Sequence, residues 1–95
     1  MTIHFDDKST PDLQQSIALY DAVGWRLYTK NTEQFKTCIS NSDYVVTATR
    51  GPVLLGMARC ISDDISIVYI QDILVHPDCH RQGIGRQLVE RCLTR

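Results

Sequence analysis

The stretch from Gln71 to Leu88 constrains the fold of this chain more than any other part of its sequence. It opens with the strand-forming run 72–75, and Pro77 marks the end of that run because proline disfavours helical backbone at the residue before it. From Gly83 onward, apolar residues recur at the spacing of one helix face, with polar residues opposite. The order of strand, short turn and amphipathic helix predicts a βα unit.

The loop between this strand and this helix has the composition of an anion site. The first N–H groups of a helix have no partner within it and lie at the positive end of its dipole, so they can bind a phosphate. Gly83 and Gly85 leave the backbone accessible, and Arg81 and Arg86 add positive charge. A P-loop would need Gly-Lys-Ser/Thr, and a dinucleotide fingerprint would need glycine at position 88, which is Leu. A βα turn that binds nothing is the simpler alternative.

The rest of the chain predicts two helices before the sheet and one after it, in the order β-α-α-β-β-β-α. Thr10 is the expected N-cap of the first helix, and Gly24 its left-handed end. Asn31 and Gln34 resemble a capping box at the start of the second helix. The predicted strands are 3–5, 44–49, 53–61 and 65–75, and the last helix runs from 83 to the end of the chain.

Length and composition limit the classes of function. Ninety-five residues make at most one domain, and 43% apolar with 22% charged residues indicates a folded globular chain. A net charge of −1 argues against a nucleic-acid partner, because phosphate backbones bind basic surfaces. No apolar run approaches the roughly 18 residues that span a membrane.

The cysteines and histidines suggest neither a disulfide framework nor a metal site. The four cysteines have no regular spacing and the first residues do not have the pattern of a secretory leader, so we expect reduced thiols and a cytoplasmic location. His76, Cys79 and His80 lie close in sequence, but a structural zinc site needs four ligands, usually as two pairs. The chain has no second pair, and we expect no metal.

Residues 71–89 resemble the acetyl-CoA-binding motif of the Gcn5-related N-acetyltransferase (GNAT) family. That motif is commonly written Arg/Gln-x-x-Gly-x-Gly/Ala and follows a strand of the type Asp-Ile-Leu-Val-x-Pro. Here its first position is His80, a departure from the usual Arg or Gln, and Arg81 follows directly. The run 19–25, together with Tyr28 and Thr29, is also similar to small bacterial members. The resemblance implies an α/β (α+β) fold with a mostly antiparallel sheet.

The resemblance also implies where acetyl-CoA, as cosubstrate, would bind. In the family the pantetheine arm pairs with the backbone of the strand that ends at 75, and the pyrophosphate sits on the loop that follows. The residues implied are Ile73, Leu74 and Val75 on the strand, and Arg81, Gln82, Gly83, Ile84, Gly85 and Arg86 in the loop.

No residue is assigned as catalytic. In this family the acceptor amine attacks the thioester directly, and a backbone N–H near Leu74 or Val75 would polarise the carbonyl. Asp72 is either a base or, as we rather expect, a buried hydrogen-bonding residue. Trp25 and Tyr28 either line the acceptor pocket or pack on the sheet.

Two functions are therefore open. The first is an acetyl-CoA-dependent N-acetyltransferase acting on a primary amine of a small molecule or peptide. Since the family fold continues beyond the helix that ends this chain, we expect residues 1–95 to form a single, C-terminally incomplete domain. The alternative is a non-catalytic module that binds CoA or associates with itself. The open edge of the last strand would then pair two copies into a homodimer.

Overall fold

The computed structural model describes residues 2–94, arranged around one four-stranded sheet. The strands are β1 (His4–Asp6), β2 (Tyr44–Arg50), β3 (Val53–Ser62) and β4 (Val68–Val75). The helices are α1 (Leu13–Ala22), α2 (Arg26–Thr29), α3 (Thr32–Ser40) and α4 (Ile84–Leu93), and a single turn of 3-10 helix spans Pro77–Cys79. Within residues 2–94, no helix is long and apolar enough to cross a membrane.

The sheet has the order β1-β2-β3-β4, and each neighbouring pair is antiparallel. This confirms the mixed α/β fold with an antiparallel sheet. The predicted order of elements is also found, with the addition of the four-residue helix α2. A single helical turn contains no apolar repeat, so the periodicity of the sequence could not reveal it.

Each face of the sheet carries its own apolar core. The core under α4 contains Tyr44, Val46, Ala48, Leu55, Ala58, Cys60, Cys79, Ile84, Leu88 and Cys92. The core under α1 and α3 contains Leu19, Tyr20, Phe35, Ile39, Leu54, Met57 and Leu74. The sheet is thus covered on both sides, and α4 occupies one of them without another helix beside it in the described part of the chain.

Gly56 on β3 allows α4 to pack closely against the sheet. A Cβ at this position would lie 3.1 Å from Ile84 Cγ2, 3.2 Å from Leu88 Cδ1 and 3.2 Å from the carbonyl oxygen of Leu74. These distances are shorter than ordinary contacts between carbon atoms, so the helix or the strand would have to move. The height of α4 above the sheet is therefore set by this missing side chain.

Replacing Gly56 with Ala should destabilise the chain by about 1–3 kcal/mol, because the added methyl overpacks the core under α4. Urea denaturation followed by circular dichroism measures the change. Gly85→Ala is the matched control, since its new Cβ would meet only Val75 Cγ2 at 3.7 Å. Equal stability of the Gly56→Ala variant and the parent would show that α4 is not held by this contact.

The helix starts differ in one respect from those predicted. Asp12, not Thr10, is the N-cap of α1, and its Oδ2 accepts a hydrogen bond from Gln15 N at 2.9 Å. The prediction of Thr10 was wrong because Pro11 lies before the cap instead of inside the helix. Asn31 is the N-cap of α3 as predicted, accepting from Gln34 N at 3.1 Å.

The predicted strand 65–75 begins three residues later, at Val68. Asp63 accounts for the difference, because its Oδ1 accepts from the N–H groups of Ile65, Ser66 and Ile67 at 2.8–3.0 Å. The Ser66 hydroxyl also donates to Asp63 Oδ2 at 2.6 Å, and this bond, together with the three from the backbone, holds the pKa of Asp63 well below its usual value. The side chain offers the backbone an alternative to sheet pairing, so this segment turns instead of extending.

Candidate functional site

β4 is an edge strand, and one side of its backbone faces away from the sheet. His76 N donates to Leu55 O at 2.7 Å. Because peptide groups alternate in direction along an antiparallel strand, Leu74 and His76 turn theirs toward β3, while Ile73 and Val75 turn theirs outward. No strand of the described residues 2–94 pairs with that outer side. The edge therefore presents N–H and C=O groups in the pattern that an extended ligand could pair with.

A β-bulge at Gln71 separates the two halves of β4. Arg59 on β3 pairs with Asp72, but the next residue, Cys60, pairs with Ile70, so Gln71 has no partner of its own. A bulge of this kind bends the strand and changes the direction of the side chains beyond it. The half that follows the bulge, from Asp72 to Val75, leads into the loop before α4.

The loop into α4 uses two left-handed residues, Arg81 at φ 68° and Gly83 at φ 78°. Gly83 is the N-cap of α4, and no side chain caps the helix there. Gly83 has open space around its Cβ position, so its backbone angle, not crowding, is what requires glycine. The side chains of Arg81, in the loop, and Arg86, in the first turn, are exposed, and Arg86 Nε lies 3.9 Å from Glu90 Oε1.

The nine implied CoA-binding residues lie along the segment that runs from the end of β4 into α4. Ile73, Leu74 and Val75 form the end of β4, Arg81 and Gln82 lie in the turn, and Gly83, Ile84, Gly85 and Arg86 form the cap and first turn of α4. The side chains of Leu74 and Ile84 are buried in the two cores. Ile84 can therefore offer a ligand only its backbone, and Leu74, whose peptide groups face β3, offers neither side chain nor backbone at the free edge.

His80 connects the loop to the edge of β4. Its Nε2 lies 3.0 Å from the carbonyl oxygen of Val75, one of the outward-facing groups. Cys79 is buried in the core under α4, whereas His76 and His80 lie on the outside, so these three do not converge. Among the described residues, no group of three or more His, Cys, Asp or Glu side chains could hold a metal ion.

Asp72, near the middle of β4, is a buried hydrogen-bonding residue. Its Oδ2 accepts from Tyr20 Oη and from Arg59 Nε, both at 2.8 Å, and its Oδ1 accepts from Tyr28 Oη at 2.9 Å. Only 3% of Asp72 is exposed. Its lone pairs are thus largely occupied by protein donors, which supports the buried role over the role of a base.

The charges around Asp72 are balanced within the protein. Burial opposes the positive charge of Arg59, but the hydrogen bond and ion pair with Asp72 outweigh it and raise the pKa of Arg59. Burial and the neighbouring Asp72 carboxylate raise the pKa of the Tyr20 phenol far above its usual value, so Tyr20 remains a donor. Sequence reasoning missed Arg59 and Tyr20 because nothing in their spacing links them to Asp72.

Asp72→Asn should cost about 3–5 kcal/mol of stability, because it leaves the buried Arg59 guanidinium without its counter-charge. Tyr28→Phe removes only one hydrogen bond to the same carboxylate and should cost about 1 kcal/mol. Urea unfolding of the two variants beside the parent measures both. Equal losses in the two variants would contradict the assignment of Asp72 and Arg59 as the main interaction.

A pocket of about 420 Å³ opens beside this network. Its lining consists of Gly24, Trp25, Arg26, Leu27, Tyr28, Gln71 and Asp72. Trp25 and Tyr28 thus face a cavity, and both also pack edge-on against the buried ring of Tyr20, at centroid distances of 6.0 Å and 5.3 Å. The unpredicted helix α2 supplies much of the wall. β4 therefore contributes Gln71 and Asp72 to this pocket, and Ile73 and Val75 to the free edge.

Comparison with known proteins identifies relatives along the whole chain. The family model described as "Acetyltransferase (GNAT) family" matches residues 8–95. An uncharacterized N-acetyltransferase of the alga Gracilaria tenuistipitata is 29% identical over 99 residues, which cover 98% of this chain and 52% of that protein. The chain thus spans about half the length of this curated relative.

Solved structures of acetyltransferases have the same fold as this chain. A GNAT-family acetyltransferase of Streptococcus pneumoniae is 31% identical, with a TM-score of 0.80, over 98% of this chain and 67% of its own length. The PaiA N-acetyltransferase of Thermoplasma acidophilum, determined in complex with coenzyme A, has a TM-score of 0.77 at 15% identity, over 99% of this chain and 71% of its own.

Proposed function

Because the chain belongs to the GNAT family of acetyltransferases, we propose that it binds acetyl-CoA along the outer edge of β4 and over the loop into α4. The observation that carries this proposal is the continuity of two features. The outward C=O of Ile73 and N–H of Val75 can pair with the amides of a pantetheine arm. The uncapped first turn of α4 lies beside Val75, since a Cβ on Gly85 would be 3.7 Å from Val75 Cγ2. The Arg81 and Arg86 side chains supply charge for a pyrophosphate.

In the whole protein, we propose that the reaction is transfer of the acetyl group to a primary amine. The amine nitrogen attacks the thioester carbonyl, the carbon–sulfur bond breaks, and CoA leaves as the thiolate. Of the two N–H groups considered from the sequence, that of Leu74 faces β3 and that of Val75 lies at the end of the strand next to α4. The outward N–H of Ile73, next to Asp72 in the lining of the pocket, is the one we propose to polarise the carbonyl oxygen. The pocket beside Trp25 and Tyr28 is the proposed place of the acceptor.

Calorimetric titration with acetyl-CoA tests the loop. Gly83→Val should lower the affinity at least about tenfold, because a β-branched residue is strained at φ 78° and distorts the helix start. Gly51→Val, in the turn between β2 and β3 at φ 58°, imposes comparable strain away from the loop and should leave the affinity unchanged. Equal affinities in all three chains would remove the loop from the binding site.

The second candidate function, a non-catalytic module that pairs with its own copy, rests on the exposed apolar side chains of β4. Val68, Tyr69 and Ile73 are 38%, 60% and 36% exposed, and no lysine or proline protects the strand. Long apolar edge strands without such protection tend to pair with other strands. Two β4 strands could pair antiparallel, and this pairing would occupy the same edge as acetyl-CoA.

Sedimentation velocity from about 1 to 100 µM tests self-association. The parent chain should shift toward a dimer as concentration rises, and acetyl-CoA should reverse the shift. Tyr69→Lys places a charge on the exposed part of β4 and should keep the chain monomeric. A parent that sediments as a monomer throughout this range would exclude the homodimer.

A further inference from the structure

Two buried cysteines lie in contact between β3 and α4. Cys60, on β3, and Cys92, in the last turn of α4, have their Sγ atoms 3.0 Å apart. Both residues are 0% exposed. A disulfide bond has a sulfur–sulfur distance of about 2.05 Å, so the two atoms would need to approach by only about 1 Å more to form one.

Neighbouring residues hold this pair in place from both sides. Tyr44 on β2 is the register partner of Cys60, and its hydroxyl donates to the carbonyl oxygen of Cys92 at 2.7 Å. Leu88, one turn earlier on α4, is fully buried in the same core. The contact between the sulfurs thus follows from how α4 is seated on the sheet, not from the conformation of one exposed side chain.

We propose that Cys60 and Cys92 form a site of reversible oxidation, at which a disulfide links the end of α4 to β3. This inference concerns neither acetyl-CoA nor the acceptor, and it stands whether or not the proposed function is correct. The co-reactant is a low-molecular-weight disulfide such as oxidised glutathione. The proposed link converts the contact between helix and sheet into a covalent one.

The exchange proceeds in two balanced steps. Cys92 lies in the terminal turn of α4, and helix ends open locally far more often than the whole fold does. Its thiolate attacks one sulfur of oxidised glutathione and releases one glutathione thiol. The Cys60 thiolate then attacks the mixed disulfide, forms the Cys60–Cys92 bond and releases the second glutathione. Two protein S–H bonds and the S–S bond of oxidised glutathione are broken, one protein S–S bond and two glutathione S–H bonds form, and both protons end on glutathione.

Closing this bond encloses residues 60–92, which include β4, the 3-10 turn and the loop into α4. Because a disulfide restricts the unfolded chain more than the folded one, the oxidised protein should resist unfolding better. The link also fixes the helix whose other end carries the candidate anion loop. Oxidation would therefore stabilise the part of the fold on which that loop is built.

Intact mass spectrometry after incubation with oxidised glutathione tests the proposal on the full chain. The parent should lose two hydrogen masses, and thiol alkylation should then label two of its four cysteines, Cys38 and Cys79. Cys38→Ala is the matched control and should form the same link. Cys60→Ala and Cys92→Ala should not form it.

Should either variant fail to fold, the melting curves of the oxidised and reduced parent decide, with a rise in Tm of at least about 5 °C expected on oxidation.

Two results would overturn the proposal. One is a parent chain in which all four cysteines are alkylated when the chain is unfolded after incubation with oxidised glutathione. The other is a link that includes Cys38 or Cys79, which would show that the contact between Cys60 and Cys92 does not direct the oxidation.

Discussion

The buried ion pair between Asp72 and Arg59 is the interaction on which the arrangement of the helices over β4 depends. Two charges removed from water are stable only when both are present and their remaining hydrogen-bonding groups are satisfied. The hydroxyl groups of Tyr20 from α1 and Tyr28 from α2 donate hydrogen bonds to the Asp72 carboxylate. On the other side, Arg59 Nη1 donates to the carbonyl oxygen of Cys38 at 3.0 Å, near the end of α3. One pair of charges thereby joins β3 and β4 to three helices.

This network explains why the candidate site has two parts on one strand. Just after the bulge at Gln71, the Asp72 side chain is directed into the network, and Ile73 and Val75 follow with outward peptide groups. The pocket beside Trp25 and the free edge therefore lie in succession along β4. On the opposite face, Gly56 sets the height of α4, and so the position of the uncapped helix start relative to the end of β4. Edge, loop and pocket are thus positioned by packing on both sides of the sheet.

Much of this could be predicted from the sequence, since the signals were local. Pro77 and Gly83 bound the loop, and the apolar repeats gave α1, α3 and α4. The network around Asp72 could not be predicted, because it depends on contacts between residues that are distant in sequence. Asp72 pairs with Arg59, and its carboxylate accepts hydrogen bonds from Tyr20 and Tyr28. The predicted start of β4 was wrong because the Asp63 side chain competes with the sheet for backbone N–H groups. The helix α2 was missed because a single turn has no period.

The central claim is that the outer edge of β4 and the loop into α4 form one binding surface for coenzyme A. Titrating the ¹⁵N-labelled chain with coenzyme A and following its amide resonances tests it most directly. The account predicts that the largest shifts fall on Ile73, Val75 and residues 81–86, while the amides of β1 and β2 stay in place. Shifts confined to other elements, or no shifts at millimolar coenzyme A, would contradict it.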